Sequence, residues 1–229
     1  MPYMSENLNR RIEAKCGKNL SNNGRKDKQA MKMKQVIGIT GGIATGKSTV
    51  TNYIRSKGYP VIDADNLVHE LQAKGGPLYM VLVAQLGQDI LAPSGELDRK
   101  RLSERFFSDN QLRQELSGLQ NDIIRRELLL RRDGLLARHD VIFMDIPLLF
   151  ELDYQKEVDC VWLVSLDAER QLKRLKERNG YTTDQAKRRI AAQLSLERKK
   201  RFAHVIIDNS GTLAETYQQL DRLLDELGN

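Results

Sequence analysis

Two cysteines, three histidines and one tryptophan in 229 residues remove several chemistries at once. Cys16 lies in a polar stretch and Cys160 in an apolar run, so neither a disulfide framework nor a zinc site is spelled out. A reducing cytosol is the expected home. His69, His139 and His204 are scattered without metal spacing, and no Ser-His-Asp or Cys-His arrangement is legible. No apolar run approaches the roughly 20 residues of a membrane span, so a membrane is not an expected partner. The continuous apolar segment of a secretory signal is missing too.

The chain is 40% hydrophobic and 30% charged, which suits one α/β domain or a core with one inserted subdomain. Its formal charge of +6 would ordinarily raise nucleic acid as a partner. The distribution argues against that. Residues 1–34 hold nine Lys/Arg against three acids, so the rest of the chain is balanced, and it has no basic patch interleaved with aromatics. Residues 1–33, rich in Asn, Lys and Arg and without apolar periodicity, are expected to be a disordered basic extension. Met31 and Met33 are alternative starts that would make that extension dispensable.

The most informative segment is Val36 to Ser48, an apolar strand pattern running into G-x-x-x-x-G-K-S. Gly41 and Gly46 let the backbone wrap an anion, and the following helix start favours phosphate. Gly42, Ile43, Ala44, Thr45, Gly46, Lys47, Ser48 and Thr49 are thus candidate nucleotide contacts, with Lys47 reaching the β/γ-phosphates and Ser48 holding Mg²⁺.

Beyond the loop, Thr49 to Lys57 reads as a helix stopped by Gly58 and Pro60, and Val61 to Asp63 as a second strand. Residues 66–138 are helical throughout apart from breaks at Gly75-Gly76-Pro77 and Ala92-Pro93-Ser94-Gly95. Strands return at Val141 to Met144, Val158 to Val164 and Val205 to Ile207. The helices expected between and after them span Ala168 to Arg178, Asp184 to Lys199 and Leu213 to Leu227. Five short apolar strands separated by helices predict an α/β fold built on a parallel sheet covered on both faces. The expected organisation is a core of 34–65, 139–178 and 200–229, a helical insertion of 66–138 for the acceptor, and a lid of 179–199.

Asp63-Ala64-Asp65 ends the second strand, and strand alternation puts both carboxylates on one side. One is suited to order Mg²⁺ through water and the other to accept a proton from an acceptor hydroxyl, while an N-cap to the next helix is the simpler role. Asp145 ends a hydrophobic strand in the manner of Mg²⁺-coordinating aspartates of phosphate-loop proteins, or is a polar residue closing a buried strand. Arg170, Arg174 and Arg178 share one helix face, an arginine stripe fit to neutralise phosphate charge under a lid or to form a solvated surface. Thr182 and Gln185 spell a capping box for the helix that follows.

Taken together, these motifs resemble the dephospho-CoA kinase family from about Val36 to Leu227. The phosphate loop from Ile39 to Thr49 is similar to the family's, with Ala44-Thr45 where Gly-Ser is common. Val61 to Asp65, Leu97-Asp98-Arg99 with Leu102 and Phe106-Phe107, and Ile146 to Glu151 resemble its further signatures. So do Gln171-Leu172 with Arg174, Arg178 and Gln193, and Val205 to Gly211. The resemblance implies a P-loop NTPase-type five-stranded parallel sheet with an inserted helical substrate subdomain and a helical lid. It also implies ATP and dephospho-CoA as substrates, with Mg²⁺. Asp65 would be the base for the ribose 3′-hydroxyl, Lys47 and Arg174 catalytic, and Arg178 a further ATP contact. Asp63, Asp65, His69, Arg99, Pro147 and Leu148 would meet the acceptor. A nucleoside monophosphate kinase, or another small-molecule kinase of the same architecture, is the alternative. Gln120-Asn121, His69 and His204 depart from the family's usual residues, and Asp145 is often apolar there. Monomer and homo-oligomer are both compatible with the sequence.

Overall fold

The computed structural model describes residues 34–108 and 110–228, with the side chains of 106–115 and 228 outside that description. The expectation for residues 1–33 and the side chains of Phe106 and Phe107 therefore lie outside the described residues.

The described residues fall into two compact units, one of 34–61 with 135–228 and one within 62–134. In the first, β1 (Gln35–Gly41) enters α1 (Lys47–Ser56), and β2 (Val61–Asp63) crosses the boundary between the units. It continues through β3 (Val141–Asp145), β4 (Cys160–Ser165), α6 (Ala168–Asn179), α7 (Thr183–Ala191), α8 (Leu196–Phe202), β5 (Val205–Asp208) and α9 (Leu213–Gly228). The second unit holds α2 (Ala64–Leu71), α3 (Pro77–Leu86), α4 (Arg99–Ser108) and α5 (Asn110–Leu136).

The five strands form one sheet in the order β2-β3-β1-β4-β5. β1 runs parallel to both β3 and β4, with Ile39 opposite Asp145 and Gly41 opposite Val164. The continuous apolar character of β1 and β4 follows from that central position, since both of their faces are buried. The chain leaves β1 for one side of the sheet and later returns on its other side with β4. The loop after β1 therefore opens at the reversal of strand order, where such sheets bind ligands.

The core of this unit gathers Ile37, Ile39, Val50, Ile54, Phe143, Trp162, Val164, Ile207, Leu220 and Leu224. Phe143 meets Trp162 edge-on at 5.3 Å between ring centroids and Tyr59 at 5.5 Å. Burying such a side chain contributes about 1.5–3 kcal/mol, so these contacts fix β1 against β3 and β4. The second unit has its own cluster of Leu82, Leu86, Ile90, Leu102 and Leu116.

The sheet is the parallel, helix-flanked α/β fold expected, but the elements differ from the sequence reading in two places. Segment 184–199 is two helices rather than one: α7 ends at Ala191, and Ser195 caps α8 by accepting from the Arg198 amide at 3.3 Å. The charged periodicity runs through that break, which hides it. Helix α2 begins at Ala64, so Asp65 stands in a helical first turn, and the strand alternation that paired it with Asp63 does not apply.

Candidate active site

The phosphate loop joins the end of β1 to the N-terminus of α1. Gly46 has φ +91°, in the left-handed region, and a Cβ there would strike the Asn209 amide. No side chain caps α1 and its first turn has no acidic residue, so the exposed amides and the positive dipole end are available to phosphate oxygens. Inside the loop, Thr45 closes back on the Gly42 carbonyl through its amide at 3.2 Å and its hydroxyl at 2.9 Å. Ala44 is left-handed as well, at φ +62°.

Side chains from distant elements hold this loop. The Gln193 side-chain oxygen accepts from the Ile43 amide at 2.8 Å, and the Gln171 side chain donates to the Ile43 carbonyl at 2.9 Å. One peptide residue is thus gripped on both polar groups, from α6 and from the segment after α7. Asn209, buried at the end of β5, donates to the Thr45 carbonyl at 2.8 Å and accepts from the Thr216 hydroxyl at 2.9 Å. Beside it, the Ser210 hydroxyl and amide hold the Asp208 carboxyl below its usual range.

Lys47 forms an ion pair with Asp145, which is 3% exposed at the end of β3. Parallel pairing of β1 with β3 brings these residues together. Arg174 is the member of the arginine stripe that turns to the loop: its Nη1 lies 3.7 Å from where a Cβ on Gly46 would stand. Arg170 instead pairs with Asp167 at 3.1 Å, and Arg178 donates to its neighbour Asn179 at 2.9 Å. The capping box of Thr182 and Gln185 forms as expected and opens α7. Next to it, Arg189 stacks over Tyr181 at 4.6 Å.

Three features of this site were not legible beforehand. The sequence places Lys199 at the end of an expected helix among charged neighbours, yet it is fully buried, with its ammonium 2.9 Å from Glu151. The structural work of Gln193 and of Asn209 was also missed. An apolar neighbourhood at Leu196 and Ala203 was the available signal for Lys199. Pro147 presents its carbonyl to Thr40 at 3.0 Å, Leu148 is exposed, and Leu149 is buried. His204 accepts at Nδ1 from the Val161 amide at 3.0 Å, a backbone role on β4.

Within the second unit, Asp63 caps α2 by accepting from the Asn66 amide at 3.0 Å, and Asp65 is exposed in the first turn. His69 Nδ1 meets the Arg99 guanidinium, so the structure joins two of the residues assigned to the acceptor. Glu70 pairs with Arg131 at 2.6 Å, a bond that raises the arginine's pKa.

A G-x-x-x-x-G-K-S loop leaving the central strand of a 2-3-1-4-5 parallel sheet defines the P-loop nucleotide-binding class. Comparison with known proteins narrows that class. A sequence model of the dephospho-CoA kinase family matches residues 35–215. The dephospho-CoA kinase of Streptococcus mutans is 52% identical over 197 residues, 86% of this chain and 100% of that protein. Among solved structures, dephospho-CoA kinase from Campylobacter jejuni aligns with TM-score 0.67 at 28% identity, covering 85% of this chain and 98% of that one. The protein TT1252 from Thermus thermophilus aligns with TM-score 0.72 at 31% identity, over 85% and 98% respectively. The chain belongs to the dephospho-CoA kinase family.

Proposed function

We propose that this protein transfers the γ-phosphoryl group of ATP to the ribose 3′-hydroxyl of dephospho-CoA, giving CoA and ADP in the last step of coenzyme A biosynthesis. The observation that carries this reading is the braced phosphate loop with Lys47 at the start of α1, in a chain of the dephospho-CoA kinase family. The cytosol is the compartment where both substrates are met, and no described helix is long and apolar enough to cross a membrane.

In this mechanism the loop from Gly42 to Thr49 wraps the phosphates: amides at the start of α1 donate to them, while the Ile43 and Thr45 amides, bonded to Gln193 and Gly42, hold the loop's shape. Lys47 exchanges Asp145 for the β- and γ-phosphate oxygens, and Arg174 neutralises charge that develops on the transferred group. Arg178, at the far end of α6, joins them when the lid approaches the nucleotide. The acceptor's 3′-oxygen bonds to Pγ as the bond from Pγ to the β–γ bridging oxygen breaks, and the hydroxyl proton passes to Asp65. Asp63 holds the turn that presents Asp65, and His69, Arg99, Pro147 and Leu148 contact the acceptor.

The donor set also fits Mg²⁺. The exposed Ser48 hydroxyl and the Asp145 carboxylate beside Lys47 are hard oxygen donors, and no group of three or more His, Cys, Asp or Glu that would form an all-protein cage occurs among the described residues. Held there by Ser48, the ion would supply charge neutralisation on the β- and γ-phosphate oxygens.

The test is ADP release with Mg-ATP and dephospho-CoA, AMP, CMP, UMP or no acceptor, with product mass measured. Turnover that depends on dephospho-CoA, with a product heavier by one phosphoryl group, is expected. Faster turnover with a nucleoside monophosphate would overturn the acceptor assignment.

A further inference from the structure

Lys199 is the one lysine among the described residues to be fully buried. Its ammonium has three protons and finds three acceptors: Glu151 Oε1 at 2.9 Å, the Gly41 carbonyl at 3.2 Å and the Pro147 carbonyl at 3.4 Å. Gly41 is the last residue of β1 before the phosphate loop. Pro147 follows β3 two residues after Asp145, the partner of Lys47. Glu151 also accepts from the Leu194 amide at 3.0 Å, next to Gln193, which grips the Ile43 amide.

The same buried charge therefore ties together the root of the phosphate loop, the root of the Asp145 segment and the return from α7. A buried ammonium is held only where its acceptors are fixed, so its presence enforces the spacing of those backbones. We propose that Lys199, paired with Glu151, is a positioning residue for the nucleotide phosphates. It acts through the Gly41 and Pro147 carbonyls and does not touch the substrate. The proposal rests on the reading of the loop as an ATP site and extends it to a residue on α8.

Two variants test it: Lys199→Met alone, and Lys199→Met combined with Glu151→Gln, which removes both charges at similar volume and keeps the fold intact if the single variant loses it. Binding of an unhydrolysable ATP analogue is measured by calorimetry without acceptor, and steady-state kinetics are measured well below each variant's melting temperature. The expected result for the double variant is a rise of about tenfold in the ATP dissociation constant and in KM for ATP, with KM for dephospho-CoA within about twofold. A merely structural pair would shift melting temperature while leaving that split at the unaltered value, and this outcome overturns the proposal. Analogue binding without any turnover on dephospho-CoA in the unaltered protein would overturn the acceptor assignment and leave the positioning role to be decided by the calorimetry. Failure of the unaltered protein to bind the analogue would overturn both.

Discussion

The phosphate loop and the Asp63–Arg99 region carry the two halves of the proposed chemistry, and they are constructed differently. Around the loop, Thr40, Thr45, Gln171, Lys199, Asn209 and Thr216 are all buried, and each has a hydrogen-bonded partner. In the other region Asp65, His69, Glu70 and Arg99 are exposed, and the pairs His69–Arg99 and Glu70–Arg131 face solvent. Buried bonds act in a low dielectric and leave a large penalty when broken, whereas exposed pairs are screened. The difference teaches that the phosphate-loop backbone is braced by buried partners, whereas the residues assigned to the acceptor are held by exposed pairs.

The largest effect should come from the fixed side. Lys47→Met is expected to lower kcat/KM by about 10³-fold in steady-state assays, because a preorganised charge is removed from the phosphates. A loss within tenfold would break the view that the loop is the centre of catalysis.

Next is Asp65, the proposed proton acceptor. Asp65→Asn should reduce kcat by about 10²-fold while analogue affinity for the ATP site, measured by calorimetry, stays within about twofold. Unchanged kcat would remove Asp65 from the reaction.

Stability should separate the two regions as well. Asn209→Ala takes away a buried bond to the Thr45 carbonyl and should cost about 2 kcal/mol in chemical denaturation. Arg131→Met, which breaks the exposed pair with Glu70, should cost under about 1 kcal/mol. Equal losses would contradict the contrast in fixation.

The smallest effect concerns strain within the loop itself. Ala44 sits at φ +62°, where glycine is at ease, so Ala44→Gly should raise stability by about 0.5 kcal/mol after its greater unfolded-state entropy is subtracted. A fall in melting temperature would show that the Ala44 methyl is supported by its surroundings.

Much of this arrangement was legible in the sequence where the signal is local. The loop, the cap at Thr182 and the stop at Gly58 depend on neighbours within a few residues, and a parallel sheet follows from apolar strands alternating with helices. The Asp63-Asp65 pairing failed because a helix starts at Ala64, where the Asp63 cap outcompetes one more residue of strand. Lys199 was hidden because a lysine in an amphipathic charged stretch looks solvated until its acceptors are known.

The sequence by itself determined the phosphate-binding chemistry and the order of strands and helices along the chain, since spacing and hydrophobic period are properties of short segments. Only the tertiary structure decided which of three arginines turns to the loop, that Lys47 pairs with Asp145, and that Lys199 is buried beneath Gly41. Those outcomes depend on residues as much as 158 positions apart, brought together by sheet pairing and core burial. Such contacts form because a buried polar group must find a partner, and in this protein the partners lie on other elements.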